Sequence, residues 1–163
     1  MNPHDEPSEI LLVEDNPGDA ELVRIAIGDD PSLMDRTRIV HATTLGKAKL
    51  VLATRPIDLV LLDLGLPDSQ GLDGLRTIRE EHPSVAVIVF TGCTDRRSGL
   101  AALEFGAVDY VSKGWAESDD LRSAVVHGLA RRRLSGTLGE AKRDLDAATE
   151  RRRDSNPVRR TTA

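Results

Sequence analysis

Five side chains in this 163-residue chain could do chemistry together: Glu14, Asp15, Asp63, Thr91 and Lys113. Each stands where an apolar run ends. Glu14 and Asp15 follow Glu9–Val13, Asp63 closes Ile57–Leu62, Thr91 and Gly92 follow Val85–Phe90, and Lys113 lies just beyond Ala107–Val111. A short run of branched apolar residues reads as a strand buried on both faces, as in a parallel sheet. Open α/β sheets gather their functional groups at the carboxyl ends of such strands. Three carboxylates crowded there repel, and one would take up a proton unless a cation joined them. Oxygen ligands of this kind, with room for waters and a phosphate, suit Mg²⁺. The chemistry would be phosphoryl transfer, with Asp63 as the nucleophile that accepts the group as an acyl phosphate. Mg²⁺ on Asp15 and Asp63, with Glu14 acting through water, would offset the charge on the transferring group. Lys113 would bring a compact cation to a phosphate oxygen, Thr91 a hydroxyl from the opposite side, and Gly92 would leave the approach open.

Those side chains converge only if the intervening elements alternate. Asn16 can cap a helix, Pro17 suits its first position, and Asp19 favours the positive end of its dipole. Leu22, Val23, Ala26 and Ile27 then give this first helix an apolar face. Arg36–His41 is a weaker strand, expected at the sheet edge, and Leu45, Ala48 and Leu52 mark the second helix. Leu72, Leu75 and Ile78 mark the third, Ser98–Phe105 the fourth, and Leu121, Ala124, Val125 and Leu129, after a capping Ser118, the fifth. Five strands alternating with five helices through short loops imply right-handed crossovers and a doubly wound parallel α/β sheet. In the strand order 2-1-3-4-5, strands one and three are neighbours at the switch point, and all five side chains share one crevice.

Composition agrees with a globular body. Hydrophobic residues make up 39% and charged residues 30%, and only four aromatics are available, so Val, Leu, Ile and Ala must fill the core. No apolar run approaches the roughly 20 residues that span a bilayer, and the N-terminus lacks a signal-peptide pattern. The single Cys93, read as a small site-lining residue, has no partner for an internal disulfide, which suits a cytoplasmic setting. His4, His41, His82 and His127 are too dispersed to suggest a metal site. Charge is divided: residues 1–130 carry twelve basic and twenty-two acidic groups, residues 131–163 ten and five. A body over 8–133 followed by a basic helical tail over 134–163 is the expected domain plan. In the tail, Ser135-Gly136 weakens helical continuity and Thr137 to Glu140 reads as a capping box restarting a helix. Leu134, Leu138, Ala141, Leu145 and Ala148 have the spacing of a coiled-coil seam, and disorder is expected from Arg151 onward.

The motifs Leu12-Val13-Glu14-Asp15-Asn16, Asp63-Leu64-Gly65-Leu66-Pro67, Phe90-Thr91-Gly92 and Asp109-Tyr110-Val111-Ser112-Lys113 occur in order and correctly spaced. With them the chain resembles the receiver domain of bacterial-type two-component response regulators, over roughly residues 8–133. EDNPGD and LPDSQGL look like the single-domain, protein-contacting branch. The resemblance implies a flavodoxin-like (βα)5 fold and phosphorylation of Asp63 by a sensor histidine kinase. It implies Mg²⁺ bound by Glu14, Asp15, Asp63 and the Gly65 carbonyl. Thr91, beside Gly92, would turn toward the phosphate and Tyr110 would swing inward behind it. The face of the fourth helix, fifth strand and fifth helix would then change its preference for a downstream protein target or for a second copy, with the tail as another dimer surface. One departure is Gly114-Trp115 where the family usually has Pro after the lysine, which removes a cis constraint and offers Trp115 as a contact residue.

Other functions fit less well. A phosphohydrolase would want a second acid two residues beyond Asp63, where Gly65 stands. Neither GxGxxG nor GxxxxGK[ST] occurs. The expectation is a switch with Mg²⁺-dependent self-phosphorylation and dephosphorylation, not an enzyme of another kind. A DNA-binding regulator using the basic tail is an alternative, although the tail has no aromatic residue to stack on bases. A receiver cut from a longer or hybrid signalling protein is another.

Overall fold

The computed structural model describes residues 6–92, 96–113 and 118–154. The apolar runs form β1 (Ser8–Val13), β2 (Thr37–Ala42), β3 (Leu59–Leu62), β4 (Ala86–Thr91) and β5 (Asp109–Ser112). Between and after them lie α1 (Pro17–Gly28), α2 (Leu45–Thr54), α3 (Asp73–Glu81), α4 (Arg96–Glu104) and α5 (Ser118–Asp154). All strands are parallel, in one sheet of order β2-β1-β3-β4-β5. The doubly wound architecture and the strand order match the expectation, with element ends displaced by one or two residues.

Side-chain alternation along the strands builds two cores. Ile10, Leu12, Leu59, Leu61, Ile88, Phe90 and Val111 face α1 and α5, meeting Ala20, Val23 and Ile27 of the first and Leu121, Ala124, Val125 and Leu129 of the second. Leu11, Val13, Val60, Leu62, Val87 and Val89 face Ala48 and Leu52 of α2, Leu75 and Ile78 of α3, and Ala102 of α4. Aliphatic residues do nearly all the filling, so burial rather than ring stacking holds the layers together. The inward face of α1 is narrower than its periodicity predicts: Leu22 is 41% exposed, because the stripe that meets the sheet runs through Val23 and Ile27. Gly106, at φ +91°, ends the α4 segment in a conformation that favours glycine, and its N–H and that of Ala107 close onto the Leu103 and Ala102 carbonyls.

The chain divides into two units at Arg132 and Arg133. The first holds the sheet and its flanking helices; the second is helical through Asp154. The expected break at Ser135-Gly136 does not occur, and the helix persists over Arg151–Asp154, where disorder was expected. The Thr137 hydroxyl donates to the Arg133 carbonyl, four residues back, and so does not act as an N-cap. A glycine within a helix costs only about 1 kcal/mol relative to alanine, and the flanking Leu, Arg, Glu and Lys residues carry the helix through Gly136 and Gly139. Leu134, Leu138 and Leu145 are each at least 67% exposed. The expected disorder of residues 155–163 lies outside the described residues, as do Cys93, Gly114 and Trp115.

Candidate functional site

The backbone ladder continues one residue past three strands, and those residues carry the chemistry. The Glu14 N–H donates to the Ala42 carbonyl, Asp63 N–H to Val13, and Lys113 N–H to Thr91, at 2.9, 3.0 and 2.9 Å. Glu14 therefore keeps the alternation of Ile10 and Leu12, Asp63 that of Leu59 and Leu61, and Lys113 that of Val111. All three side chains fall on the sheet face that α1 and α5 cover. Thr91 keeps the alternation of Val87 and Val89 and falls on the other.

Lys113 Nζ lies 2.5 Å from Glu14 Oε2, 3.0 Å from Asp19 Oδ2 and 3.1 Å from Asp63 Oδ2. Glu14 is wholly buried and Asp63 nearly so. Burial pushes the Glu14 carboxyl above its ordinary value; Lys113 and the Asn16 N–H pull it back, and the neighbouring Asp63 charge pushes it further up. Burial would pull the Lys113 ammonium down, but hydrogen bonds to Glu14, Asp19 and Asp63 hold it well above its ordinary value. Lys113 is thus a fixed cation held against three carboxylates, with a hydrogen bond to Asp19 among those contacts.

Glu14, Asp15 and Asp63 each bring a carboxylate oxygen within 4.8 Å of the other two. One lysine cannot offset three carboxylates at this spacing, and the all-oxygen donor set fits a hard divalent cation with Asp15, the exposed member, at the open side. Gly65 stands against Asp63: a Cβ there would lie 3.4 Å from Asp63 Oδ2. Among the described residues, a Cβ on Gly92 would meet nothing within 4 Å. Thr91 is buried at the end of β4. Tyr110 is half-buried at the row of Val13, Leu62 and Val89, its ring packed over Gly99 of α4. It borders a groove of about 600 Å³ between α4, β5 and α5, along with Leu100, Leu103 and His127.

Three supporting groups escaped the sequence reading. Asp19, read as a dipole residue of α1, is a third carboxylate on Lys113, beside Glu14 and Asp63. His41 Nδ1 takes a hydrogen bond from the Arg24 guanidinium at 3.1 Å, which leaves the proton on Nε2 to bond the Glu14 carbonyl at 2.7 Å. Asp68 accepts from the Leu45 and Gly46 N–H groups at 2.8 and 2.9 Å, so the loop carrying Gly65 and Pro67 caps α2. Those N–H groups, Gly46 first, hold the Asp68 carboxyl below its ordinary value. The Asn16 cap, by contrast, forms as expected: its Oδ1 accepts from Gly18 and Asp19 at 2.8 and 3.2 Å.

A parallel sheet of this order, with an acidic cluster and a lysine at its carboxyl edge, is the frame of a phosphoryl-accepting receiver. Residues 10–126 match the family described as the response regulator receiver domain. The chain belongs to that family. It is 38% identical over 106 residues, 65% of its length, to the KDP operon transcriptional regulatory protein KdpE of Escherichia coli. It is 31% identical over 124 residues, 75% of its length, to the photosynthetic apparatus regulatory protein RegA of Rhodovulum sulfidophilum. The chain spans 44% of the first relative and 63% of the second. Among solved structures, the signal receiver domain of a Luxo repressor protein from Vibrio parahaemolyticus superposes with a TM-score of 0.72 at 27% identity, covering 81% of this chain and 97% of that one.

Proposed function

We propose that the chain works as the phosphorylation-controlled switch of a two-component system, with Asp63 as its phosphoacceptor. The observation that carries this reading is the convergence of Glu14, Asp15, Asp63 and Lys113 at one sheet edge. Asp63 Oδ attacks phosphorus, the bond from phosphorus to the donor's leaving atom (the imidazole nitrogen of a kinase phosphohistidine, or the carboxylate oxygen of acetyl phosphate) breaks, and the Asp63 acyl phosphate forms. Glu14, Asp15, Asp63 and the Gly65 carbonyl would hold Mg²⁺, which when bound offsets the charge on the transferring group. Lys113 meets a phosphoryl oxygen, and the Thr91 hydroxyl, beside Gly92, donates to another. Movement of Thr91 leaves room for the Tyr110 ring, and the groove that Tyr110 borders then changes its preference for partners. The switch works in the cytoplasm, and the donor is a sensor histidine kinase; the recipient is a downstream protein, or a second copy docking through the α4-β5-α5 face or the tail. The output is contact, with no turnover beyond self-phosphorylation and dephosphorylation. Residues 8–133 form this receiver and 134–163 its basic tail.

The test is intact mass after incubation with acetyl phosphate and Mg²⁺. Wild type is expected to gain one phosphoryl group, lost on chelation of the metal, and Asp63→Asn to gain none. An adduct on both proteins would remove Asp63 from its role.

A further inference from the structure

Asp19 is not needed to explain a phosphoacceptor, yet its carboxylate takes one of only three donors on Lys113, from ninety-four residues away. The three partners of that ammonium are unequal. The Glu14 side chain is 0% exposed, Asp63 7% and Asp19 25%. When a phosphoryl group arrives on Asp63, its oxygens need a donor from Lys113, and one existing contact must open. Releasing Glu14 would strand a buried charge, which is costly. Asp63 is itself the group being modified. Asp19, in the first turn of α1 and the most exposed of the three, can be re-solvated most cheaply.

We propose that Asp19 is a positioning residue that latches Lys113 in the unphosphorylated state and yields it to the phosphoryl group. The latch occupies the site's fixed cation before transfer, so it opposes phosphorylation and favours the resting form. Once Lys113 has turned to phosphate, Asp19 is solvated and contributes nothing to the lysine. The loss of Asp19 accordingly acts on the forward step rather than on the adduct. This inference rests on Asp63 as the acceptor.

Two measurements test it. The first is a double-mutant cycle of Asp19→Asn and Lys113→Met, read by thermal unfolding without metal or phosphodonor. The helix-dipole contribution of Asp19 is common to both backgrounds and drops out. Asp19→Asn is expected to lower the melting temperature when Lys113 is present and to lower it much less in the Lys113→Met background. Equal shifts in both would overturn the latch, whether or not the protein takes phosphate. The second is the rate of phosphoryl uptake from acetyl phosphate with Mg²⁺, which needs no Lys113 variant. Asp19→Asn is expected to be labelled several-fold faster than wild type, a gain larger than any change in adduct half-life, and Asp19→Glu to return toward the wild-type rate. Slower or unchanged uptake by Asp19→Asn would equally overturn it. Absence of any adduct on wild type would instead sink the phosphoacceptor reading, and the cycle alone would then decide the resting contact.

Discussion

Replacing Lys113 by Met isolates what the lysine does for the fold. Met is close in volume and unbranched, so little packing is lost and the change is mainly one of charge. Lys113 is 10% exposed and Glu14 0%, so the variant strands a wholly buried carboxylate beside Asp63. Removing one partner of a buried ion pair costs about 3–5 kcal/mol. In a domain of this size each kcal/mol moves the melting temperature by roughly 3–5 °C, so a drop of about 10–20 °C is expected. The assay is circular dichroism on heating, at about pH 7.5 in EDTA, with an acidic series beside it. Glu14 sets the sign of that series, because its folded carboxyl lies above its ordinary 4.5. A group raised in this way contributes stability fully below its ordinary value and loses it as pH rises through the folded value. Without Lys113 the rise is larger, so acidification from about pH 7.5 to 5.5 should recover more stability in the variant than in wild type. A drop under about 4 °C, or an equal acid response in the two proteins, would refute the claim that Lys113 neutralises a buried charge.

Other perturbations separate the parts of the site. Mg²⁺ at about one hundred times its dissociation constant should stabilise the protein by about 2.7 kcal/mol in a metal titration followed by melting, and Asp15→Asn should abolish most of that gain. Asn16→Ala removes the side-chain acceptor for two N–H groups of α1 and should cost about 1 kcal/mol in denaturant unfolding, with Mg²⁺ affinity changed little. Gly128→Val would press a Cβ to 3.1 Å from Leu59 Cδ1 and 3.2 Å from Ile88 Cδ1. Overpacking of that kind costs about 1–3 kcal/mol and should show as a lower urea midpoint without loss of phosphoryl uptake.

The strands were legible because a sheet covered on both faces must be apolar at consecutive positions, a demand that leaves runs such as Leu59–Leu62 unmistakable. Their order followed from the alternation with helices, since right-handed crossovers leave few arrangements open. The tail was less legible because local cues compete there. Ser135-Gly136 and the Thr137–Glu140 pattern are real signals for an end and a start, yet each is worth about 1 kcal/mol, and the helical residues on both sides outweigh them.

The core of the site was legible for the same reason as the strands: Glu14, Asp63 and Lys113 each terminate a run that must be strand. Asp19 was not, because the helix dipole already gave its charge a sufficient local reason, and no run of strand residues points to it. A finer signal was nevertheless present. Val23 and Ile27 are four residues apart on the inward stripe of α1, and Asp19 lies one step of four before them on that stripe. A carboxylate on an inward stripe has to meet something other than water. At the start of a helix packed across the carboxyl edge of the sheet, that something is whatever cation the strand ends hold in common. The same reasoning explains why Leu22 misled: it belongs to the periodicity of the helix but lies one residue off the line through Asp19, Val23 and Ile27, and it is 41% exposed. A helix beside a functional sheet edge is therefore better read by following its buried stripe back to the first turn, where a charge on that stripe is a candidate member of the site.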